Sequence, residues 1–231
     1  GFGIKLGTII RPFKYSPFKV GLAVHTPTWY NLSSYSYADI QGPYGDFYDT
    51  RDYELYGDEL CTQTRFNSPW RFSASASYTI GAVFAFNAEY EYTDYASTQL
   101  FYSDGVENTV MNEHTEENFT GQHTLRFGVE KTFGSFYTRF GYNYQTGGYK
   151  DDAYKAIPIN SVQTNTDYTN IKSTQNFTCG IGFRGDAFYL DAALLYSTQK
   201  ADFYPFDDPE LQAAQLTRNL VKGMMTVGLR F

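Results

Sequence analysis

Alternation of apolar and polar residues along strand-length segments constrains this chain more than any other feature of its sequence. Segment 187–199 puts Leu190 and Leu194 in one register and Asp191 and Ser197 in the other. Successive side chains of a β-strand point to opposite faces, so this pattern predicts a strand with one apolar and one polar face. The pattern occurs in nine segments: residues 2–11, 18–26, 70–79, 83–95, 122–133, 135–146, 172–184, 187–199 and 220–231. We therefore expect an all-β, antiparallel protein.

The lengths of the strands and of their connections favour a membrane. Strands in soluble domains average ~5–6 residues, whereas a tilted strand that crosses a bilayer needs ~9–11, which the nine segments match. Short turns are expected at 13–17, 80–82, 134–135 and 185–186, and long connections at 31–68, 96–120, 147–170 and 200–216. Short turns alternating with long loops are typical of outer-membrane proteins. The sequence thus predicts an antiparallel transmembrane β-barrel in the outer membrane of a bacterium.

Composition is compatible with this prediction. Aromatic residues make up 19% of the chain, and tyrosine suits surfaces that are apolar on one side and wet on the other. The mean hydropathy is −0.44, as expected of alternating strands, and no run approaches the ~18 apolar residues of a membrane-spanning helix. The four long connections hold 19 acidic and 5 basic residues, against a net charge of −7 for the chain. We expect them to be solvated.

Two further expectations concern local structure and strand number. Asp208, Pro209 and Glu210 combine an N-cap, a proline suited to the first turn and an early acid, which predicts a short helix over 208–214. Bacterial single-chain barrels have an even number of strands, and an open sheet edge is not tolerated in lipid. Nine strands therefore predict that residues 1–231 are the C-terminal part of one barrel whose first strands are absent from this chain.

Several motifs resemble the FadL/TodX family of outer-membrane transport proteins. They are Gly3-Ile4-Lys5-Leu6-Gly7-Thr8-Ile9-Ile10-Arg11-Pro12, Gly21-Leu22-Ala23-Val24-His25-Thr26-Pro27-Thr28-Trp29-Tyr30, Ser68-Pro69-Trp70-Arg71 and Glu89-Tyr90-Glu91-Tyr92-Thr93-Asp94-Tyr95. The resemblance extends to Phe231. It implies a fourteen-stranded barrel with an N-terminal hatch, of which nine strands are visible here and the hatch is absent. It also implies passive uptake of long-chain fatty acids or other hydrophobic small molecules.

The resemblance also implies partners. These are outer-membrane lipid and lipopolysaccharide, a hydrophobic ligand, and the barrel-assembly machinery, which reads a terminal aromatic residue such as Phe231. Other envelope proteins are possible partners, whereas nothing in the sequence indicates nucleic acid. No cofactor is expected. Two alternatives stay open for the same barrel: a scaffold component of a secretion or assembly complex, and a general diffusion porin.

The candidate ligand-binding residues lie in the lumen or at the outer rim. Pro27 cannot donate to a strand ladder, so the second strand should end or bulge there. This leaves Trp29 and Tyr30 for an interfacial aromatic belt or for ligand entry. Inward-pointing bases pair with acids or bind a ligand carboxylate. The set is His25, Trp29, Tyr30, Arg71, Arg126 and Arg139. The many tyrosines of segment 31–68 suggest a capture groove, with packing between loops as the alternative.

No enzyme is expected from this sequence. The three histidines are scattered, and neither a nucleophile motif, a phosphate-binding loop nor a metal-ligand spacing is present. Cys61 and Cys179 are far apart in sequence and define no disulfide framework.

Overall fold

A computed structural model describes residues 1–36, 60–151, 153, 167–206, 208 and 210–229. Its single α-helix within these residues is α1 (Thr109–Asn118), and a short 3₁₀ turn covers Tyr95–Ser97. The strands are β1 (Lys5–Ile10), β2 (Lys19–His25), β3 (Trp29–Ser36), β4 (Leu60–Asn67), β5 (Arg71–Ile80), β6 (Phe84–Asp94), β7 (Gln99–Tyr102), β8 (Gly121–Phe133), β9 (Phe136–Thr146), β10 (Tyr168–Arg184), β11 (Phe188–Tyr204) and β12 (Ala214–Leu229).

Nine of these strands form one large antiparallel sheet. Its order is β1-β2-β5-β6-β8-β9-β10-β11-β12, so each strand pairs with the next main strand along the chain. These nine strands are the nine alternating segments, and the all-β, antiparallel prediction is confirmed. Tight turns join β5 to β6, β8 to β9 and β10 to β11, close to the expected places. Among the described residues, β1 and β12 are paired on one side only, so the sheet is open.

The pairing register brings the apolar residues of all nine strands onto one face. Residues opposite each other in an antiparallel pair point to the same side of the sheet. The register can therefore be followed as rows that cross the strands. One such row contains nine apolar or aromatic residues, one from each strand: Ile10, Val20, Ala76, Ala88, Phe127, Tyr142, Phe177, Tyr196 and Val221. The opposite face carries most of the glycines, hydroxyls, amides and charges.

Very little of this apolar surface is covered. Among the described residues, only Ala153, Ala201 and Tyr204 form a buried hydrophobic core. Phe127 is 50% exposed, Phe140 60% and Val221 70%. An open groove of about 910 Å³ lies against this face, and of the twenty described residues that line it, fourteen belong to this face. The polar face is separated from this groove by the sheet.

The long connections contain structure that the alternation does not predict. A second, three-stranded sheet consists of β3, β4 and β7, which lie in the connections that follow β2 and β6. Helix α1 follows β7, and the Asn108 side chain caps it by accepting a hydrogen bond from the Met111 amide at 3.2 Å. The buried residues of α1 are all polar: Asn112, Thr115 and Asn118. This helix is therefore attached through hydrogen bonds, not through an apolar stripe.

The last strands extend beyond the predicted segments. β10 begins at Tyr168 and β11 ends at Tyr204, so the connection to β12 shrinks from the expected 200–216 to 205–213. The prediction of a helix over 208–214 is wrong for the described residues there. Asp208 instead stabilises a single turn, since its carboxylate accepts from the Glu210 amide and its carbonyl accepts from the Leu211 amide. The strand ladder of β12 starts at Ala214 and leaves no room for a further helical turn.

No helix within the described residues is both long and apolar enough to span a membrane.

Candidate functional site

Ion pairs between neighbouring strands organise the polar face. Arg126 on β8 lies opposite Glu89 on β6, and its guanidinium pairs with that carboxylate. The same guanidinium lies 3.4 Å from the carboxylate of Glu91, two residues further along β6. Arg126 is thus shared by two acids, and a ligand carboxylate would have to displace one of them.

Arg139 has a similar arrangement on the other half of the sheet. Its Nε donates to Glu130 on β8 at 2.6 Å, and its Nη1 lies 3.6 Å from Asp191 on β11. The sequence placed Arg126 and Arg139 on one polar face, and the sheet register agrees. Each of them carries a pair of carboxylate partners, as expected of an ion-pair network.

A basic row lies at one end of the first three strands of the sheet. Lys5 on β1, His25 on β2 and Arg71 on β5 are directly opposite one another and share the polar face. Within the described residues, Arg71 has no ion-pair partner. We call these three residues the basic row. His25 and Arg71 were separate candidates in the sequence, and the strand register places them next to each other and next to Lys5.

A groove on the polar face begins at the basic row. It has a volume of about 690 Å³, and of the eleven described residues that line it, nine belong to this face. His25 lies at one end, Glu89 and Glu91 lie on the β6 side, and Gly7 and Gly21 leave room between them. A small ligand in this groove would contact the His25 imidazole at one end, a wall of carboxylates and a floor of small residues.

The other candidates lie elsewhere. β2 ends at His25, two residues before Pro27, as predicted. Trp29 and Tyr30 start β3 in the small sheet, where the Trp29 ring stacks on Phe2 at 6.1 Å and the Tyr30 ring lies 6.0 Å from Phe66. Both rings are about two-fifths exposed. They are not part of the groove beside the basic row.

Some predictions fall outside the described part of the chain. Phe231 lies there, as do most tyrosines of segment 31–68 and the side chain of Cys61. Cys179 is a free, exposed cysteine on the apolar face of β10. The described residues contain no group of three or more His, Cys, Asp or Glu side chains that could hold a metal ion.

Sequence reasoning missed a charged cluster at the long-connection end of the sheet. Lys172 on β10 donates to Asp151, in the connection after β9, and lies 3.5 Å from Asp202 on β11. The hydrogen bond from Lys172 lowers the pKa of the Asp151 carboxyl below its ordinary value of 3.8, and the lysine charge adds to the effect. Asp151 lies in a connection with no alternation, so the sequence carried no signal for this contact.

An uncharged pocket lies at the same end of the polar face. Glutamine side chains of β8, β9 and β11 line it together with the rings of Tyr95, Phe119 and Tyr149. Burial raises the pKa of the Tyr149 hydroxyl, and the neighbouring Tyr95 raises it further. The three rings come from connections that meet only in the folded chain.

Comparison with known proteins adds no assignment: no protein-family model matches the chain, and no curated protein matches it.

Proposed function

We propose that this chain is part of a transmembrane β-barrel of a bacterial outer membrane that carries long-chain fatty acids or other hydrophobic small molecules passively across it. One observation carries the proposal. The row from Ile10 to Val221 presents an apolar residue on each of nine consecutive strands, and that face is exposed. The opposite face is polar and ion-paired. This division is the one required of a barrel wall between lipid and an aqueous lumen.

Contact with lipid is energetically more favourable for the apolar face than contact with water. Contiguous apolar patches on water-soluble monomers rarely exceed a few hundred Å². Each fully exposed Leu, Val or Phe side chain forgoes about 1.5–3 kcal/mol of burial. Exposed large hydrophobic residues occur on all nine strands of the sheet. Lipid hydrocarbon in contact with this face would remove this cost, so no second layer of protein would be needed to cover it.

The proposal requires the sheet to be closed. β1 and β12 each have one unpaired edge among the described residues, and unpaired backbone groups cost several kcal/mol each in hydrocarbon. In the proposed barrel, both edges pair with strands outside this sheet. The resemblance to the FadL/TodX family supports a fourteen-stranded barrel of this kind.

The polar face supports a ligand with an anionic head. Arg126 and Arg139 are each occupied by two carboxylates, whereas Arg71 in the basic row has no acidic partner within the described residues. A carboxylate that reaches the groove next to this row gains a charge-assisted hydrogen bond without breaking an existing ion pair. We therefore assign recognition of the ligand head group to Lys5, His25 and Arg71.

The test is the identity of the bound lipid and the conductance of the purified protein. The protein is purified from native membranes in detergent, and its lipid extract is analysed by mass spectrometry. The expected result is enrichment of fatty acid over the surrounding membrane, reduced in Arg71→Gln and unchanged in the control Arg11→Gln, since Arg11 follows β1 and does not line the groove. Large ion conductance in planar bilayers would favour a porin, and a stable protein partner on co-purification would favour a scaffold; either one without fatty acid would refute the proposal.

A further inference from the structure

A second pocket lies on β8, β9 and β11 at the long-connection end of the polar face, the same end at which the basic row lies on β1, β2 and β5. It is the uncharged pocket lined by two groups of residues. The amide cluster consists of Gln122, Gln145 and Gln199, and the ring cluster consists of Tyr95, Phe119 and Tyr149. The pocket has a volume of about 240 Å³. We propose that it binds a neutral sugar residue.

The amide cluster is arranged along the sheet by strand register. Gln145 on β9 and Gln199 on β11 both lie opposite Thr174 of β10, on its two sides, so all three share one face. Gln145 donates to the Gln122 amide oxygen at 2.7 Å, and Gln199 donates to the Thr174 hydroxyl at 3.3 Å. An amide offers two donor hydrogens and one acceptor oxygen. Each glutamine therefore keeps hydrogen-bonding capacity that a ligand hydroxyl can use as donor or acceptor.

The ring cluster is held together by backbone pairing between two connections. Phe119 and Tyr149 form a β-bridge, and the Thr120 amide donates to the Gly148 carbonyl at 2.9 Å. The Phe119 ring lies 5.1 Å from the Tyr149 ring and 6.3 Å from the Tyr95 ring. A Cβ at position 148 would come within 2.9 Å of the Tyr95 ring, so the glycine there permits this close approach. The three rings thus form a contiguous apolar wall beside the amides.

The chemistry of the lining selects the class of ligand. None of the described residues that line the pocket is charged, although charged residues make up 19% of the chain. Charged head groups would therefore lose hydration here without gaining an ion pair. Sugar rings combine an apolar face of C–H groups with an edge of hydroxyls, which matches an aromatic wall next to donor and acceptor amides.

Size separates this ligand from the one proposed for transport. Pockets for drug-sized ligands have volumes of about 300–1,000 Å³, so 240 Å³ suits a single ring better than a long acyl chain. Acyl chains also have no hydroxyl groups for three amides. The inference therefore stands on the pocket alone and does not depend on the proposed transport of hydrophobic molecules.

The experiment measures binding of glucose, galactose and mannose by saturation-transfer NMR and calorimetric titration. The protein is kept in a zwitterionic detergent, because detergents with sugar head groups would compete. Gln145→Leu and Gln199→Leu remove amides from opposite sides of the pocket and keep similar side-chain size. Gln175→Leu is the matched control, since Gln175 lies opposite Tyr144 on the other face of β10. Circular dichroism checks that each variant is folded. If one of the two test variants does not fold, the other still tests the proposal.

The expected result is binding of at least one hexose by the unchanged protein. Each test variant should weaken it roughly tenfold, which corresponds to about 1.4 kcal/mol and is of the size expected for lost hydrogen bonds. Gln175→Leu should stay within about twofold of the unchanged protein. Absence of binding for all three hexoses would overturn the proposal, as would equal affinity in the test variants. Binding of triglycine in preference to the hexoses would also overturn it and would point to a peptide site.

Discussion

The guanidinium of Arg139 on β9 lies 3.6 Å from the carboxylate of Asp191 on β11, although β10 separates the two strands. The contact is possible because the residues of β10 opposite these two are Gly180 and Gly182. A Cβ at position 182 would come within 2.3 Å of the Asp191 carboxylate. Glycine in the middle strand therefore lets charges two strands apart meet over the polar face, and it couples three strands through one cation.

Replacing Arg139 with glutamine should destabilise this half of the sheet. The change leaves Glu130 and Asp191 without their shared cation, and half-exposed ion pairs of this kind contribute about 1 kcal/mol at most. We expect a decrease of about that size in the free energy of unfolding, measured by urea titration in detergent. The Arg11→Gln control should unfold at the same urea concentration as the unchanged protein. An Arg139→Gln variant as stable as this control would contradict the network.

Neighbouring leucines on β11 give a direct test of the proposed contact between the apolar face and lipid. Leu194 lies on the apolar face and is 56% exposed, whereas Leu195 lies on the polar face opposite Lys222. Leu194→Arg should destabilise the protein in lipid vesicles by about 2–4 kcal/mol, the cost of an arginine near the bilayer midplane. Leu195→Arg should cost much less. Urea titrations of vesicle-inserted protein measure both, and equal costs would argue against lipid on the apolar face.

The main sheet was predictable because its strands carry their own signal. From Phe188 to Tyr196, every second residue of β11 is apolar, and this alternation survives in the folded structure as a face. The same parity placed Arg126 and Arg139 on the polar face before any pairing was known. Register was not predictable, since alternation fixes the face of a residue but not its partner. The basic row of Lys5, His25 and Arg71 therefore emerges only from the structure.

The structured connections were not predictable for a different reason. β7 has only four residues, and α1 buries Asn112, Thr115 and Asn118, so the helix has no apolar stripe to detect. Contacts such as Lys172 with Asp151 join residues 21 positions apart across a connection without periodicity. Asp208 is the opposite case. Its capping residues predicted a helix, but only one turn forms there, because β12 begins too soon after it for a helix.

Asn112 should be essential for the attachment of α1. Its amide oxygen accepts from the Leu100 amide at 2.7 Å, and its amide nitrogen donates to the Leu100 carbonyl and to Glu107. Asn112→Asp replaces the donor with a charged acceptor that faces a carbonyl and a carboxylate. Because the side chain is 7% exposed, we expect a loss of about 2–3 kcal/mol, measured as faster hydrogen exchange across α1 and β7. Glu117→Gln, on the exposed side of the helix, should leave the exchange rates unchanged.

The Asp151–Lys172 pair should make the long-connection end of the sheet sensitive to acid. The folded-state pKa of Asp151 is below the ordinary value of 3.8, so the pair stabilises the folded state above that pH. This stabilisation is lost as the pH falls through the lower, folded-state pKa. Asp151→Asn should therefore lower the Tm at pH 7, and the difference in Tm should disappear at acidic pH, once the pH is below the folded-state pKa of Asp151. In a Lys172→Met background, Asp151→Asn should have no effect on the Tm at either pH; a constant difference across the titration would refute the pairing.

The turn between β8 and β9 should require glycine at position 134 only because of the backbone conformation there, and not because a larger side chain would clash. Gly134 has a φ of +58°, and a Cβ added there would meet no atom within 4 Å. Gly134→Ala therefore introduces no clash, and its whole cost is that of placing an L-residue in the left-handed region, about 1–2 kcal/mol. Gly223→Ala on β12 is the matched control, because its added Cβ would make an ordinary 3.7 Å contact with Leu194 without a positive φ. Urea titration should show a loss for Gly134→Ala and none for Gly223→Ala, and equal stability of the two variants would mean that the turn adopts another conformation.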